Sequence, residues 1–299
     1  VFWPDAQCME GYYTKTCTTT APTEGYHTFK AIGVDDDLAQ TEASIDILFT
    51  NIVPHSTIIN LYENGEIIEA DEQQIWQLDE DQLVTIKGQA EDSVDDIEQL
   101  SHTWWPDNRQ TDLIYFLTGR VTEFEMDWET SGLHTIRLDV TDDDGATSAT
   151  NERWVNIRNV PPVVQPLDSV LPIAEGQSIT ITGNSTDTKS DLPTLVKCWD
   201  VDPGIDSDGL GGASDDCDII GDIFTYAWNR SGSHTVVYHV TDDDGATTSE
   251  IVVVDVVNIP PIVRLNSVNC RAYESCILDA RSTIDSLNDL DGLNYVWDT

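Results

Sequence analysis

Residues 134–140, His-Thr-Ile-Arg-Leu-Asp-Val, alternate in character: Ile136, Leu138 and Val140 face one way, Thr135, Arg137 and Asp139 the other. A period of two marks a strand with one buried and one wet face. The run EIVVVDVVN at 250–258 is more continuously apolar, and its β-branched side chains also favour a strand. No window carries an apolar helical stripe bounded by caps. Turns rich in Gly, Asp and Asn punctuate the chain about every eight to twelve residues, which predicts an all-β chain of sandwiches.

The alternating run belongs to a repeat. HTIRLDVTDDDGATSAT at 134–150 returns as HTVVYHVTDDDGATTSE at 234–250, with a weaker relative, GYHTFKAIGVDDDLAQTE, at 25–42. His27, His134 and His234 align at spacings of 107 and 100 residues, and Phe124 and Trp128 fall on Phe224 and Trp228. A Pro junction follows each copy (NIVP at 51–54, NVPP at 159–162, NIPP at 258–261), and a Trp-Asp strand precedes each (FWPD at 2–5, WWPD at 104–107, CWDVD at 198–202). A last Trp-Asp, VWDT, stands at 296–299. A period near one hundred is too long for a solenoid unit and fits a whole small domain. The expected organisation is a rear half-domain at 1–52, complete domains at 53–160 and 161–259, and a front half-domain at 260–299. With VFWPD at its head and no initiator Met, the chain reads as a piece of a longer array, beads on a rod.

Gly-x-His-Thr-apolar, then VTDDDGATS, then a strand ending in NVPP resembles the closing half of a PKD (polycystic kidney disease) domain, with His where that corner usually has Tyr. ARSTIDSLNDLDGLNYVWD at 280–298 resembles the opening half, and GQAEDSVDDIEQLSHTWWPD at 88–107 follows it more loosely. The resemblance covers nearly the whole chain, most weakly over 1–24 and 200–222. It implies tandem immunoglobulin-like, PKD-type seven-stranded sandwiches, and a spacer or adhesive role in a surface or secreted protein of archaea or bacteria. A fold does not fix a function.

Charge narrows the partners. Fifty-five acids against fourteen bases leave a net charge of −41. Nucleic acid is excluded for want of a basic face, as is a polybasic membrane patch. No run approaches a membrane span, and IVVVDVV at 251–257 is broken by Asp255. The six cysteines fall in local pairs, Cys8 with Cys17, Cys198 with Cys217 and Cys270 with Cys276, none at CxxC spacing. They read as three disulfides of an extracellular or cell-surface protein, zinc being the alternative.

Two sets of aspartates invite a cation. Asp142, Asp143 and Asp144, with Asp242, Asp243 and Asp244, form hairpin corners that Gly145 and Gly245 can close. They are corners alone, or corners that also bind calcium, with Asp92, Asp95 and Asp96 as a second acidic segment nearby. The first copy has Leu38 in place of that Gly, so its turn is expected to close differently. Asp200, Asp202, Asp206, Asp208, Asp215, Asp216 and Asp218 crowd a loop beside Cys198 and Cys217. Their repulsion, roughly 1 kcal/mol per close pair even in water, would be relieved by calcium; the alternative is a solvated loop held by the bridge.

The three aligned histidines lie in separate repeats, so each is expected to bond the backbone as a corner tyrosine would. Asn159 and Asn258 should approach acidic turns of the adjoining domains, where a cation could suppress bending. Trp104 and Trp105 are core residues or a stacking platform for a glycan. Asn184 and Asn229 begin glycosylation sequons. No GxSxG, HExxH or phosphate loop occurs. The leading expectation is a non-catalytic structural segment of a surface protein or filament, partnered by neighbouring domains or copies and rigidified by calcium. The other is an adhesive module for a surface glycan or protein.

Overall fold

The computed structural model describes residues 7–8, 17–18, 24–93, 96–107, 114–205, 217–286 and 289–298, with backbone alone at 7–8 and 17–18. The chain divides into two compact units, 1–158 and 159–299. It is all-β, and its one helical turn among the described residues is a 3-10 turn at Leu290–Gly292. No helix there is long and apolar enough to cross a membrane.

In the first unit, after a short pairing of Gln7–Cys8 with Cys17–Thr18, Gly25–Val34 and Gln40–Phe49 form a hairpin in register from Gly25↔Phe49 to Val34↔Gln40. A sandwich of two sheets follows. One sheet runs Tyr115–Thr118, Ser101–Trp105, Gly132–Thr141, Asn151–Arg158, Ile75–Asp79, its last pairing parallel. The other runs Val121–Met126, Val84–Glu91, His55–Glu63, Glu66–Ile68. Ile136, Leu138 and Val140 are wholly buried between the sheets with Ile58, Leu61, Ile86 and Trp104, as the alternation requires. Trp104 lies so close over Val84–Glu91 that a Cβ on Gly88 would stand 2.4 Å from its ring, so only glycine fits beneath it.

The second unit repeats the plan. Its main sheet runs Ile173–Ala174, Thr247–Val257, Gly232–Thr241, Val196–Asp200, Ile219–Ile220, again with a parallel first pairing. Val163–Val164 pairs with Ser185–Thr186, and Ile179–Thr182 with Ile223–Tyr226. Trp199, Phe224, Val236, Tyr238 and Val254 fill the core, and Gly183 yields to the Tyr238 ring as Gly88 does to Trp104. The apolar run near 250 alternates after all: Val252, Val254 and Val256 are buried, while Ile251, Val253 and Val257 are exposed.

Glu80-Asp81-Gln82 and Glu175-Gly176-Gln177 make the same turn. Asp81 and Gly176 adopt φ of 56° and 74°, and each donates its N–H to the carbonyl of Trp128 or Trp228. Tyr273 takes φ of 74° at the matching place of the third copy, where the described residues hold only an isolated bridge, Ile262↔Ile284.

Disulfides join Cys198 to Cys217 and Cys270 to Cys276, with Cα atoms 5.5 and 5.8 Å apart. Those four sulfurs are spent on each other rather than on zinc. Backbone pairing sets Cys8 opposite Cys17; their side chains lie outside the described residues.

Candidate metal centres

The acidic corners are built from their first aspartate. Asp142 donates its N–H to the Ala146 carbonyl at 3.1 Å, and its Oδ1 accepts the Ala146 N–H at 2.7 Å. Asp242 and Ala246 do the same at 3.1 and 2.7 Å. Asp35 and Ala39 repeat it at 3.1 and 2.8 Å. The expectation that the first turn closes differently is therefore corrected. Leu38 takes φ of 68° where Gly145 and Gly245 take 88° and 91°. The aspartate cap holds the turn, and an exposed leucine accepts the left-handed conformation at about 1 kcal/mol.

The second oxygen of each buried aspartate faces the preceding junction. Asn51 Nδ2 donates to Asp142 Oδ2 at 2.8 Å, and Asn159 Nδ2 to Asp242 Oδ2 at 3.1 Å. Asn159 thus meets an acidic turn as expected; Asn258 is exposed. Asp143, Asp144, Asp243 and Asp244 are exposed at the tips.

A second acidic wall faces each corner. Ser93 donates its N–H to Asp92 and its hydroxyl to Asp96, both at 2.7 Å. In the second unit Thr188 N–H donates to Asp187 at 2.8 Å and the Ser190 hydroxyl to Asp191 at 3.0 Å. Burial, then the charges of Asp96, Asp142 and Asp143, raises the Asp92 pKa against its Ser93 hydrogen bond. Burial, then Asp191, Asp242 and Asp243, does the same to Asp187 against Thr188. Each cup thus gathers one junction amide, a corner aspartate and two wall aspartates. Asp191 is 2% exposed, and its Oδ2 has no partner among the described residues. In the first cup Glu24, Asp96 and Asp144 each bring a carboxylate oxygen within 4.8 Å of the others. The hydrogen bond with Glu24 pushes the Asp144 carboxyl up to about 6. Asp95 lies outside the described residues.

Sequence reasoning missed Glu24, Asp187 and Asp191. A signal was present: Asp-[Ser/Thr]-x-x-Asp recurs at 92–96, 187–191 and 285–289. Ser286 bonds Asp285 and Asp289 at 2.9 and 3.1 Å in that third copy.

Of the aspartates near the Cys198–Cys217 bridge, Asp200, Asp202 and Asp218 converge, with one oxygen from each within 4.8 Å. Asp206, Asp208, Asp215 and Asp216 lie outside the described residues.

Trp104 is wholly buried, with its indole N–H donated to Thr122 at 3.0 Å. This corrects the stacking expectation for Trp104, whose ring is sealed in the core in edge contact with Phe124. Trp105 is half-buried with Arg137 over its ring at 4.6 Å. His134 Nε2 faces the Thr130 carbonyl at 2.9 Å and His234 Nε2 the Arg230 carbonyl at 3.0 Å. A carbonyl only accepts, so both rings donate there, as a corner tyrosine would. Asn184 and Asn229 are exposed.

Residues 159–255 match the family described as Bacterial Ig domain. Comparison with curated proteins gives no match. Among solved structures, the titin domains z1z2 in complex with telethonin share 17% identity, covering 70% of this chain and all of that one, at a TM-score of 0.33. Clostridium thermocellum CbhA fibronectin(III)-like modules share 12%, covering 63% of this chain and 94% of theirs, at 0.22. Drosophila N-cadherin EC1-3 shares 13%, covering 79% and 78%, at 0.25. The chain carries immunoglobulin-like β-sandwiches in tandem.

Proposed function

We propose that this chain is a non-catalytic structural segment of an extracellular surface protein or filament, its domains lying near 1–52, 53–160, 161–259 and 260–299 and its acidic cups binding calcium. The observation that carries the reading is the second cup. Asn159, Asp187, Asp191 and Asp242 repeat Asn51, Asp92, Asp96 and Asp142 position for position, and Asp191 buries an oxygen that nothing described satisfies. An unpaired buried carboxylate is costly, and a hard cation with six to eight oxygen ligands relieves it. Because the junction asparagine sits in the cup, ion binding would fix the chain where it enters the sandwich. The disulfides suit an oxidising compartment, and the acidity suits solubility and mutual repulsion of copies.

The test is a calcium titration of the melting temperature, with EGTA as control and magnesium as comparison. A saturable, calcium-specific rise is expected, and it should shrink in an Asp96→Asn/Asp191→Asn variant. No shift in the unaltered chain would refute calcium at the cups.

A further inference from the structure

We propose a second, separate calcium site formed by Asp200, Asp202 and Asp218 and assembled by the Cys198–Cys217 bridge. Asp200 ends the strand Val196–Asp200, immediately after the wholly buried Trp199, and is itself 0% exposed. Its Oδ1 accepts the Asp202 N–H at 2.9 Å, while its Oδ2 has no partner among the described residues. An anion in such surroundings needs a positive partner.

Asp218 arrives from the far end of the loop. Its N–H donates to the Trp199 carbonyl at 2.9 Å and its Oδ2 accepts the Val201 N–H at 2.8 Å. Cys217 stands one residue before Asp218 and Cys198 two residues before Asp200, so the bridge ties the two ligand-bearing segments together. A disulfide acts chiefly by removing such freedom from the open chain.

Chemistry selects the ion. The donors are carboxylate oxygens alone, which suit calcium, magnesium or manganese. The three oxygens lie within 4.8 Å of one another, close enough to share one ion, and calcium's flexible shell of six to eight oxygens suits an irregular trio better than magnesium's strict octahedron. Asp202 is half-buried and Asp218 exposed, which leaves an open side where water can complete the shell. The site shares no residue with the cups and does not depend on them.

Calorimetric titration of calcium into the whole 299-residue chain tests it. Asp200→Asn and Asp202→Asn should each bind one calcium fewer than the parent, with the cups still titrating. A Cys198→Ser/Cys217→Ser variant should bind that calcium at least tenfold more weakly. Unchanged stoichiometry and affinity in both aspartate variants would overturn the proposal, whatever the cups do. Calcium lost in Asp96→Asn/Asp191→Asn but kept in Asp200→Asn would leave only the cups standing. If Asp200→Asn fails to fold, the half-buried Asp202→Asn alone decides the outcome.

Discussion

The two sandwiches differ most at the end of the tryptophan strand. In the first, Asp107 is buried against His134, with Oδ1 3.1 Å from Nδ1 and both side chains 1% exposed. In the second, His234 keeps its corner hydrogen bond but is only half-buried, and the aspartates after Trp199 gather with Asp218 under a disulfide. The corner bond is what the fold requires; the fate of the nearby acid is free to vary. One copy closes its end with a histidine, the other concentrates negative charge there.

The sharpest way to break that comparison is to truncate each histidine. His134→Ala removes both the corner hydrogen bond and the partner that faces the buried Asp107 at 3.1 Å, and losing one partner of a buried pair costs about 3 kcal/mol or more. His234→Ala should cost about 1 kcal/mol, the worth of an ordinary hydrogen bond. Denaturant unfolding of the two variants would show the ratio, and equal losses would erase the contrast.

Acidification separates the copies next. Burial lowers His102 from 6.5 to about 4, while the strand position aligned with it holds Lys197. The unfolded chain therefore binds a proton between those values that the folded chain refuses, so stability falls as pH drops through this window. By pH 5 the first sandwich should lose about 2 kcal/mol from this source. The raised carboxylates Asp92 and Asp187 act oppositely, gaining stability as pH falls, so both sandwiches carry that smaller gain. Hydrogen exchange along Gly132–Thr141 should accelerate at pH 5 relative to Gly232–Thr241, and His102→Gln should abolish the difference.

The smallest effect lies in the turns. Leu38→Gly should stabilise the first hairpin by about 1 kcal/mol and Gly145→Leu should destabilise its turn by a similar amount, both readable as shifts in melting temperature.

Much of the fold was legible because strand alternation and turn chemistry are local. Ile136, Leu138 and Val140 declared their buried face, and the repeated DDDG declared its corner. The run at 250–258 did not, because valine on an outer face looks the same as valine inside. Leu38 misled because the aspartate cap, a hydrogen bond to the backbone, sets that turn more firmly than glycine does. The cups were half legible: the corner aspartates stood out, whereas Asp187 and Asp191 lie some fifty residues before theirs and meet them only through the sheet. Trp104 and Trp105 read alike as a pair, and only the pleat separates the one sealed over Gly88 from the one beneath Arg137.

The asparagine clamps carry a consequence for inheritance. In sequence, Asn51 and Asn159 look like the tail of what precedes the Pro junction, yet each is bonded into the sandwich that follows. A duplication or recombination event that broke the gene between the asparagine and its proline would deliver a sandwich with its corner aspartate uncapped. A copy that works wherever it lands must start at the asparagine, so breakpoints in such arrays should cluster just upstream of it.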